Sequence, residues 1–296
     1  MPITVEQWAE VENASLKLWK NETDRKKDYI ALNFDRQPTS DLYEYFEGLG
    51  AMGHMSPWTG SIQYQDPGKG FKQTFKQERF STGVQAEEWM FRYSKYRQIA
   101  DRVTDLHESV YQTYQASAAS LFNNASNAAY VGPDSVALCS TSHPMSPADA
   151  TVQSNLGSLD LTMANLNTAF NAMLGFTNDK HDIIGVTPDT LMYGIYYRDK
   201  ALKITGGASQ AKEPFTADND KNIYSDLKGV FNPRLTGKEW FLIDSQRQKR
   251  FLKWFDGRMP DFKTNNDFNT EMMEFAVISD WTRGWTNWDW IYGSFS

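Results

Sequence analysis

The sequence contains a single cysteine and lacks any long apolar run. With Cys139 alone, the chain can form no intrachain disulfide, and a thiolate-rich metal site is excluded. No stretch approaches the roughly 18 consecutive apolar residues that a membrane span requires. The N-terminus also lacks the basic region and apolar region of a secretion signal. We therefore expect neither membrane insertion nor secretion.

Positive charge is also scarce. The chain has 30 Lys and Arg residues against 37 Asp and Glu residues, for a formal net charge of -7. Such a chain repels a polyanion unless its basic groups cluster on one face, so tight binding to nucleic acid is disfavoured. Aromatic residues are abundant instead, at 14% of the chain. Their rings are favoured at contacts between proteins and also in large cores.

Metal-binding and nucleotide-binding motifs are missing as well. The chain has 4 histidines, and no two of them are spaced to share a helical turn as in a zinc-binding HExxH motif. The acidic run that begins at Asp218 lacks the glycine and the final glutamate of a calcium loop. Lys238 follows a glycine, but Glu239 stands where a phosphate-binding loop needs Ser or Thr. We expect no metal and no cofactor.

Catalytic signatures are equally absent. The sequence has no G-x-S-x-G motif, and Cys139 lies in an apolar segment where desolvation keeps a thiol protonated. We predict no catalytic residues and expect the protein not to be an enzyme. A hydrolase with an acid pair drawn from distant positions remains an alternative.

The N-terminal segment predicts an amphipathic helix. Thr4 and Gln7 are spaced as a capping box, and apolar residues from Trp8 to Trp19 recur along one stripe. A charged run and an irregular, aromatic-containing stretch follow. We predict an arm over residues 1–53 that lies on another surface. The alternative is a helix packed on its own domain.

Residues 61–80 predict a β-hairpin. Alternating residues precede a turn at Asp66–Gly70, and Phe71 and Phe75 alternate with polar residues after it. The segment has too few apolar side chains to be stable alone. We predict an extended loop over residues 54–85 that requires a partner surface, with folding onto its own domain as the alternative. Its basic residues are Lys69, Lys72, Lys76 and Arg79.

A long helix is predicted after this loop. No Gly or Pro occurs from Gln85 to Val131, and apolar residues recur in steps of three or four from Trp89 to Leu121. We predict one helix over residues 86–127, roughly 60 Å long at about 1.5 Å per residue. A coiled coil is the less suitable alternative, because its seam would be rich in Tyr and Ala.

After Gly132 the pattern changes to short mixed elements, which together with the long helix predict an α+β fold. The predicted elements are a strand at 135–139, a helix capped near Thr162, a buried strand ending at Tyr193, a polar surface loop at 205–222, and strands at 239–244 and within 251–291.

Several segments of this half resemble the major head subunits of Mu-like phages. Each segment is short, but their shared order and spacing make the joint match specific. The segments are Cys139–Pro144, Ser154–Leu156, Leu161–Met173, Gly185–Leu191, Phe231–Thr236, Trp240–Asp244, Asp280–Trp285 and Trp290–Gly293.

The resemblance implies the HK97-like major capsid protein fold. That fold has an N-terminal arm, an extended β-hairpin loop, a peripheral domain built on a long spine helix, and an axial domain. The implied division is listed here: arm 1–53, extended loop 54–85, peripheral domain 86–132 and 241–279, axial domain 133–240 and 280–296.

The resemblance also implies a function. Identical subunits would form pentamers and hexamers of an icosahedral shell around double-stranded DNA in a tailed phage, without sequence-specific DNA binding. Further partners would be a separate scaffold protein, a portal and decoration proteins, with assembly in the host bacterial cytoplasm. Because the chain begins at Met1 without a visible scaffolding extension, we expect no maturation cleavage. A tail-tube or head-completion subunit is the alternative.

We predict that subunit contacts involve the arm and the basic hairpin. The hairpin would dock on an acidic helix surface of a neighbour, with Phe71 and Phe75 as apolar anchors and lysines at the rim. Replacing both phenylalanines with serine is then expected to leave a folded, assembly-deficient monomer. The candidate contact residues are Trp8, Trp19, Lys69, Phe71, Lys72, Phe75, Lys76, Arg79, Glu87 and Glu88.

Overall fold

The computed structural model describes residues 13–17, 19, 33–87, 89, 90, 93, 96–206, 224, 226–267 and 272–296. These residues confirm the α+β class. The strands are β1 (Asp35–Pro38), β2 (Tyr43–Leu49), β3 (Lys69–Lys76), β4 (Glu78–Glu87), β5 (His143–Ser146), β6 (Asp149–Gln153), β7 (Leu156–Gly157), β8 (Thr190–Tyr193), β9 (Lys228–Phe231), β10 (Glu239–Ile243), β11 (Leu252–Asp267), β12 (Met272–Trp285) and β13 (Ile291–Phe295). The helices are α1 (Tyr96–Asn123), α2 (Met163–Leu174), α3 (Arg198–Thr205) and α4 (Ser245–Phe251), with a 3₁₀ turn at Ile195–Tyr197.

A four-stranded sheet in the order β1-β11-β12-β4 carries the long helix α1 on one face. Alternate residues of β12 point toward α1, as the strand's period of two requires. Near its start α1 packs Val103 and Leu106 against Phe275. Nearer its end Tyr114 packs on Trp281, with ring centroids 4.3 Å apart. The helix and the sheet therefore pack through two apolar clusters, and Val110 of α1 packs against both.

The long helix is shorter than the sequence predicted. Its predicted start at residue 86 is wrong, because β4 continues to Glu87 and pairs there with Met272 of β12. The described helix α1 has 28 residues, which corresponds to roughly 42 Å at about 1.5 Å per residue. Strand pairing with a distant segment has overridden the helical periodicity at this end.

A five-stranded sheet in the order β7-β13-β10-β8-β9 forms the second half of the fold. All residues of the central strands β8 and β10 are buried. Thr162 accepts a hydrogen bond from the backbone of Asn165 and caps α2, whose Leu166 and Met173 are buried. These observations confirm the predicted helix cap and both buried strands.

The predicted strand at 135–139 is wrong. This segment is a buried loop that makes only a single bridge, from Ala137 to Val131. Ser135 adopts a φ of 62° there, which interrupts an extended conformation. Most of the predicted polar loop at 205–222 lies outside the described residues.

The two sheets share one apolar core. The chain passes from the five-stranded to the four-stranded sheet between β10 and β11, and returns between β12 and β13. Both crossings lie a few residues after the predicted boundaries at 240 and 280. The assignment of these sheets to peripheral and axial domains stays a prediction.

Candidate assembly surface

Strands β2 and β3 form a two-stranded antiparallel ribbon that we call the extended loop, residues 43–76. The register pairs Tyr43 with Lys76 and Glu47 with Lys72. The predicted pairing of β3 with residues 61–64 is therefore wrong, because β3 pairs with β2 and residues 50–68 connect them without regular strands. The predicted boundary at residue 53 falls inside this loop, and β4 belongs to the four-stranded sheet instead.

A β-bulge bends the ribbon between the Glu47 and Leu49 pairs. Two glycines, Gly48 and Gly70, approach each other at this point. A Cβ atom on Gly70 would lie 2.6 Å from the carbonyl carbon of Gly48, which is closer than real Cβ atoms approach. Because only glycine permits this contact, the bulge is specified by the sequence and sets the direction of the loop's tip.

The inner face of the extended loop is attached to its own subunit through Phe75. This side chain is 3% exposed and packs against Phe255 of β11, with ring centroids 5.3 Å apart. Gly284 of β12 makes room for the ring, since a Cβ there would lie 2.6 Å from Phe75. The predicted role of Phe75 as an anchor in a neighbour is therefore wrong. Phe71 is half-buried and lines a cleft beside the ribbon.

Because Phe75 is buried in its own subunit, Phe75→Ser is expected to lower the free energy of unfolding by about 3 kcal/mol. Phe75→Leu, which keeps most of the apolar volume, is the control and should cost about 1 kcal/mol. Urea denaturation followed by tryptophan fluorescence measures both. A Phe75→Ser subunit of unchanged stability that nevertheless fails to assemble would restore the original hypothesis.

The extended loop exposes a run of large apolar side chains, which we call its outer face. Tyr45 is 77% exposed, Met55 96% and Trp58 74%, and Leu49 and Tyr64 are exposed to a similar degree. Exposed apolar residues scattered singly are ordinary, but a run of this kind within one loop marks an interaction surface. The sequence contained this signal between residues 42 and 64, which we predicted as arm up to residue 53 and as extended loop from residue 54.

Lysines lie on the same outer face. The register places Lys69 opposite Leu49 and Lys76 opposite Tyr43. Lys72 forms an exposed ion pair with Glu47 at 3.0 Å, a type of contact that contributes about 0–1 kcal/mol. The predicted basic residues at 69, 72 and 76 are thus brought beside aromatic side chains, so that polar groups flank apolar ones as they do at the polar rim of an interface.

The fourth predicted basic residue, Arg79, contacts β12 of its own subunit. It donates two hydrogen bonds to Asp280 of β12, at 2.8 and 3.2 Å. These bonds and the charge of Asp280 raise the pKa of Arg79. Its guanidinium is therefore engaged within its own subunit.

The connecting segment of the extended loop is held by a turn of the same subunit. The backbone N–H of Ala51 donates to Asp179 Oδ1 at 2.8 Å. His54 Nε2 lies 2.8 Å from Asp182 Oδ1. A cleft of about 600 Å³ separates the ribbon from this turn and from α4, and Phe71, Met145 and Arg250 contribute to its walls.

The remaining predicted contact residues lie at different places in the structure. Trp19 is buried, with its ring edge-on to His107 at 4.7 Å and stacked on Phe262 at 5.4 Å, so its predicted role between subunits is wrong. Glu87 is exposed but ends a strand instead of lying on a helix, and it accepts a hydrogen bond from Trp89. Trp8 and Glu88 lie outside the described residues.

A buried polar network resembles an enzyme's acid–histidine pair but serves structure. His143 Nδ1 lies 2.6 Å from Asp134, and its Nε2 lies 3.0 Å from Asn155 Oδ1. Asn155 donates to the carbonyl oxygens of Leu138 and Ile291. Both ring nitrogens are engaged in this way, so the pair ties loops together and leaves no base facing a nucleophile.

Two further observations concern chemistry and membranes. Burial raises the pKa of the Cys139 thiol well above its ordinary value, which keeps it protonated. Within the described part of the chain, no group of three or more His, Cys, Asp or Glu residues could hold a metal ion. Among the same residues, no helix has both the length and the apolar character to span a bilayer.

Solved structures define the class of this fold. The chain is similar to the procapsid of bacteriophage JBD30 (TM-score 0.59, 12% identity, covering 99% of this chain and 76% of that one). It is also similar to the mature capsid of bacteriophage PhiM1 (TM-score 0.57, 9% identity, 91% and 87%) and to a virus-like particle from Pyrococcus furiosus (TM-score 0.54, 8% identity, 94% and 96%). The fold is that of HK97-like capsid proteins.

The sequence family agrees with the fold. The profile of the phage capsid protein family matches residues 72–294, which is most of the chain. The chain belongs to this family and is a major capsid protein, a structural protein of the bacteriophage virion. No curated protein matches the sequence significantly. The narrower resemblance to Mu-like phages stays a prediction.

Proposed function

We propose that this subunit self-assembles into pentamers and hexamers of an icosahedral shell that encloses double-stranded DNA. The observation that supports this proposal is the exposed apolar outer face of the extended loop, residues 43–76. A monomeric protein would leave these aromatic and methionine side chains in water, at an unfavourable free energy. Identical subunits would cover them in a closed shell.

In this proposal the extended loop of one subunit lies across the surface of its neighbour. Tyr45, Leu49 and Trp58 supply the apolar contact, and the lysines of β3 surround it. The rest of the chain is acidic, with a formal net charge of -7. The lysines of β3 are therefore attracted to acidic groups on the body of a neighbour, which favours the rate and the register of association.

The same charge is suited to a container for DNA. A strongly basic lining would bind the phosphate backbone and oppose release of the genome. An acidic subunit avoids this. We further propose that a separate scaffold protein, a portal and decoration proteins complete the particle in the host bacterial cytoplasm.

Electron microscopy of the overexpressed full chain tests the proposal. Closed shells are the expected result, because the extended loop provides each subunit with a contact to the next. Open tubes or flat rings would instead indicate a tail-tube or head-completion subunit. Subunits that remain dispersed at high concentration and low salt would contradict self-assembly.

A further inference from the structure

A second cavity lies between the C-terminal part of α1 and the end of β12. It is open to solvent and has a volume of about 190 Å³. Its walls carry polar groups from separate segments of the chain. Those that bear on its chemistry are Glu78, Ser120, Tyr130, Arg283 and Trp285.

Arg283 pairs with few of the polar groups that line this cavity, which also include Gln73, Asn124 and Thr282. A guanidinium carries five N–H donors, and among the described residues Arg283 uses one group, Nη2, which donates to Ser120 Oγ at 2.8 Å. Its Nε is buried and has no acceptor there. Trp285 is 5% exposed, and its indole Nε1 is also buried without an acceptor in the same part of the chain. Unpaired buried donors are unfavourable, and their pairing is the usual state of folded proteins.

Two other arginines of this chain have a buried carboxylate partner, which Arg283 lacks among the described residues. Arg36 pairs with the buried carboxylate of Asp256, and Arg247 pairs with the buried carboxylate of Asp289. Burial lowers the pKa of Arg283, while the charge of Glu78 acts in the opposite direction. Glu78 is exposed, and its charge acts on Arg283 without an ion pair between the two among the described residues.

We infer that this cavity is a binding site for a single carboxylate group. The planar fork of a guanidinium matches the two oxygens of a carboxylate, and Arg283 retains free N–H groups to form such a pair. The cavity admits a small group of this size. One cation with Glu78 nearby favours a monoanion over a dianionic phosphate, because the second negative charge would be repelled by Glu78.

NMR of the dispersed full-length subunit tests the site. Sodium acetate replaces sodium chloride at constant ionic strength, and the N–H signals of Arg283 and the indole N–H of Trp285 are followed. Both signals should shift and saturate with acetate. Arg283→Met should abolish the saturable shift, and Glu78→Gln should tighten acetate binding severalfold, because the repelling charge is removed. Arg258→Met, at an ion pair elsewhere on the sheet, is the matched control and should leave the titration unchanged.

Assembled shells identify where the carboxylate comes from. Magic-angle-spinning NMR detects the indole N–H signal of Trp285 in assembled shells. A shift of that signal by acetate that persists in shells assigns the site to free small carboxylates. A response that is lost on assembly assigns it to a carboxylate of a second copy of this chain. Both outcomes support the site.

Three results would overturn it. A saturable shift with inorganic phosphate but not with acetate would contradict a carboxylate ligand. Unshifted signals with either anion would show that the cavity binds neither. A Glu78→Gln subunit that loses acetate binding would contradict repulsion between Glu78 and the ligand, and one that is destabilised as strongly as Arg283→Met would make Glu78 itself the partner of Arg283. The Glu78 variant decides the matter even if Arg283→Met does not fold.

Discussion

Replacing Tyr45 and Trp58 with serine is expected to abolish shell formation while the subunit remains folded. Both side chains are largely exposed in the subunit, so their loss should change the free energy of unfolding by less than about 0.5 kcal/mol each. Aromatic residues at the centre of an interface commonly contribute about 2 kcal/mol or more to binding. Because every subunit of a shell repeats the contact, the double variant should stay dispersed.

Electron microscopy and sedimentation velocity measure assembly, and circular dichroism with thermal melting measures folding. The matched control is Tyr45→Phe with Trp58→Phe, which keeps aromatic rings at both positions and should still form shells. Normal shells from the serine variant would refute the role of the outer face. A serine variant that is unfolded would show instead that these side chains stabilise their own subunit.

Trp281→Ala is expected to destabilise the subunit by about 3–5 kcal/mol. This side chain is 1% exposed and stacks on Phe80, with ring centroids 3.8 Å apart. On the other side it packs against Tyr114 of α1, and its indole N–H donates to Ser117 Oγ at 3.1 Å. The substitution therefore opens a cavity between the long helix and the four-stranded sheet and removes a buried hydrogen bond.

Guanidinium denaturation of the dispersed Tyr45→Ser, Trp58→Ser subunit measures this loss without interference from assembly. Domains are typically stable by about 5–15 kcal/mol, so Trp281→Ala should shift the midpoint strongly. Trp281→Phe is the control, since it keeps an aromatic ring and loses mainly the hydrogen bond and part of the volume. A loss below about 1 kcal/mol for Trp281→Ala would contradict the central place of this residue.

Local sequence signals were sufficient where an element depends on its own residues. The cap at Thr162 was found because its side-chain oxygen accepts from a backbone N–H only three residues away. The strand at 239–243 was found because it is apolar from Trp240 to Ile243, as is typical of a strand buried on both faces. The apolar face of α1 was found from its period, although its start was not.

These local signals could not predict which distant segments pair with each other. The alternation around β3 was read correctly as a strand, but its partner β2 lies more than twenty positions upstream along the chain. The alternation of Phe75 with polar residues is the same whether its ring packs against its own sheet or against a neighbouring subunit. The space that Gly284 leaves for the ring, seen only in the structure, shows that Phe75 packs on its own sheet. The cavity beside Arg283 likewise arises from segments far apart in the chain, which no spacing rule connects.

Composition, periodicity and helix capping thus established an acidic α+β protein with a long helix and buried strands, because each of these properties is encoded over a few neighbouring residues. The three-dimensional fold decided which side chains of the extended loop face solvent, since a strand offers two faces and only its packing selects the buried one. It buried Phe75 and Trp19 within the subunit and left Tyr45 and Trp58 exposed on the surface.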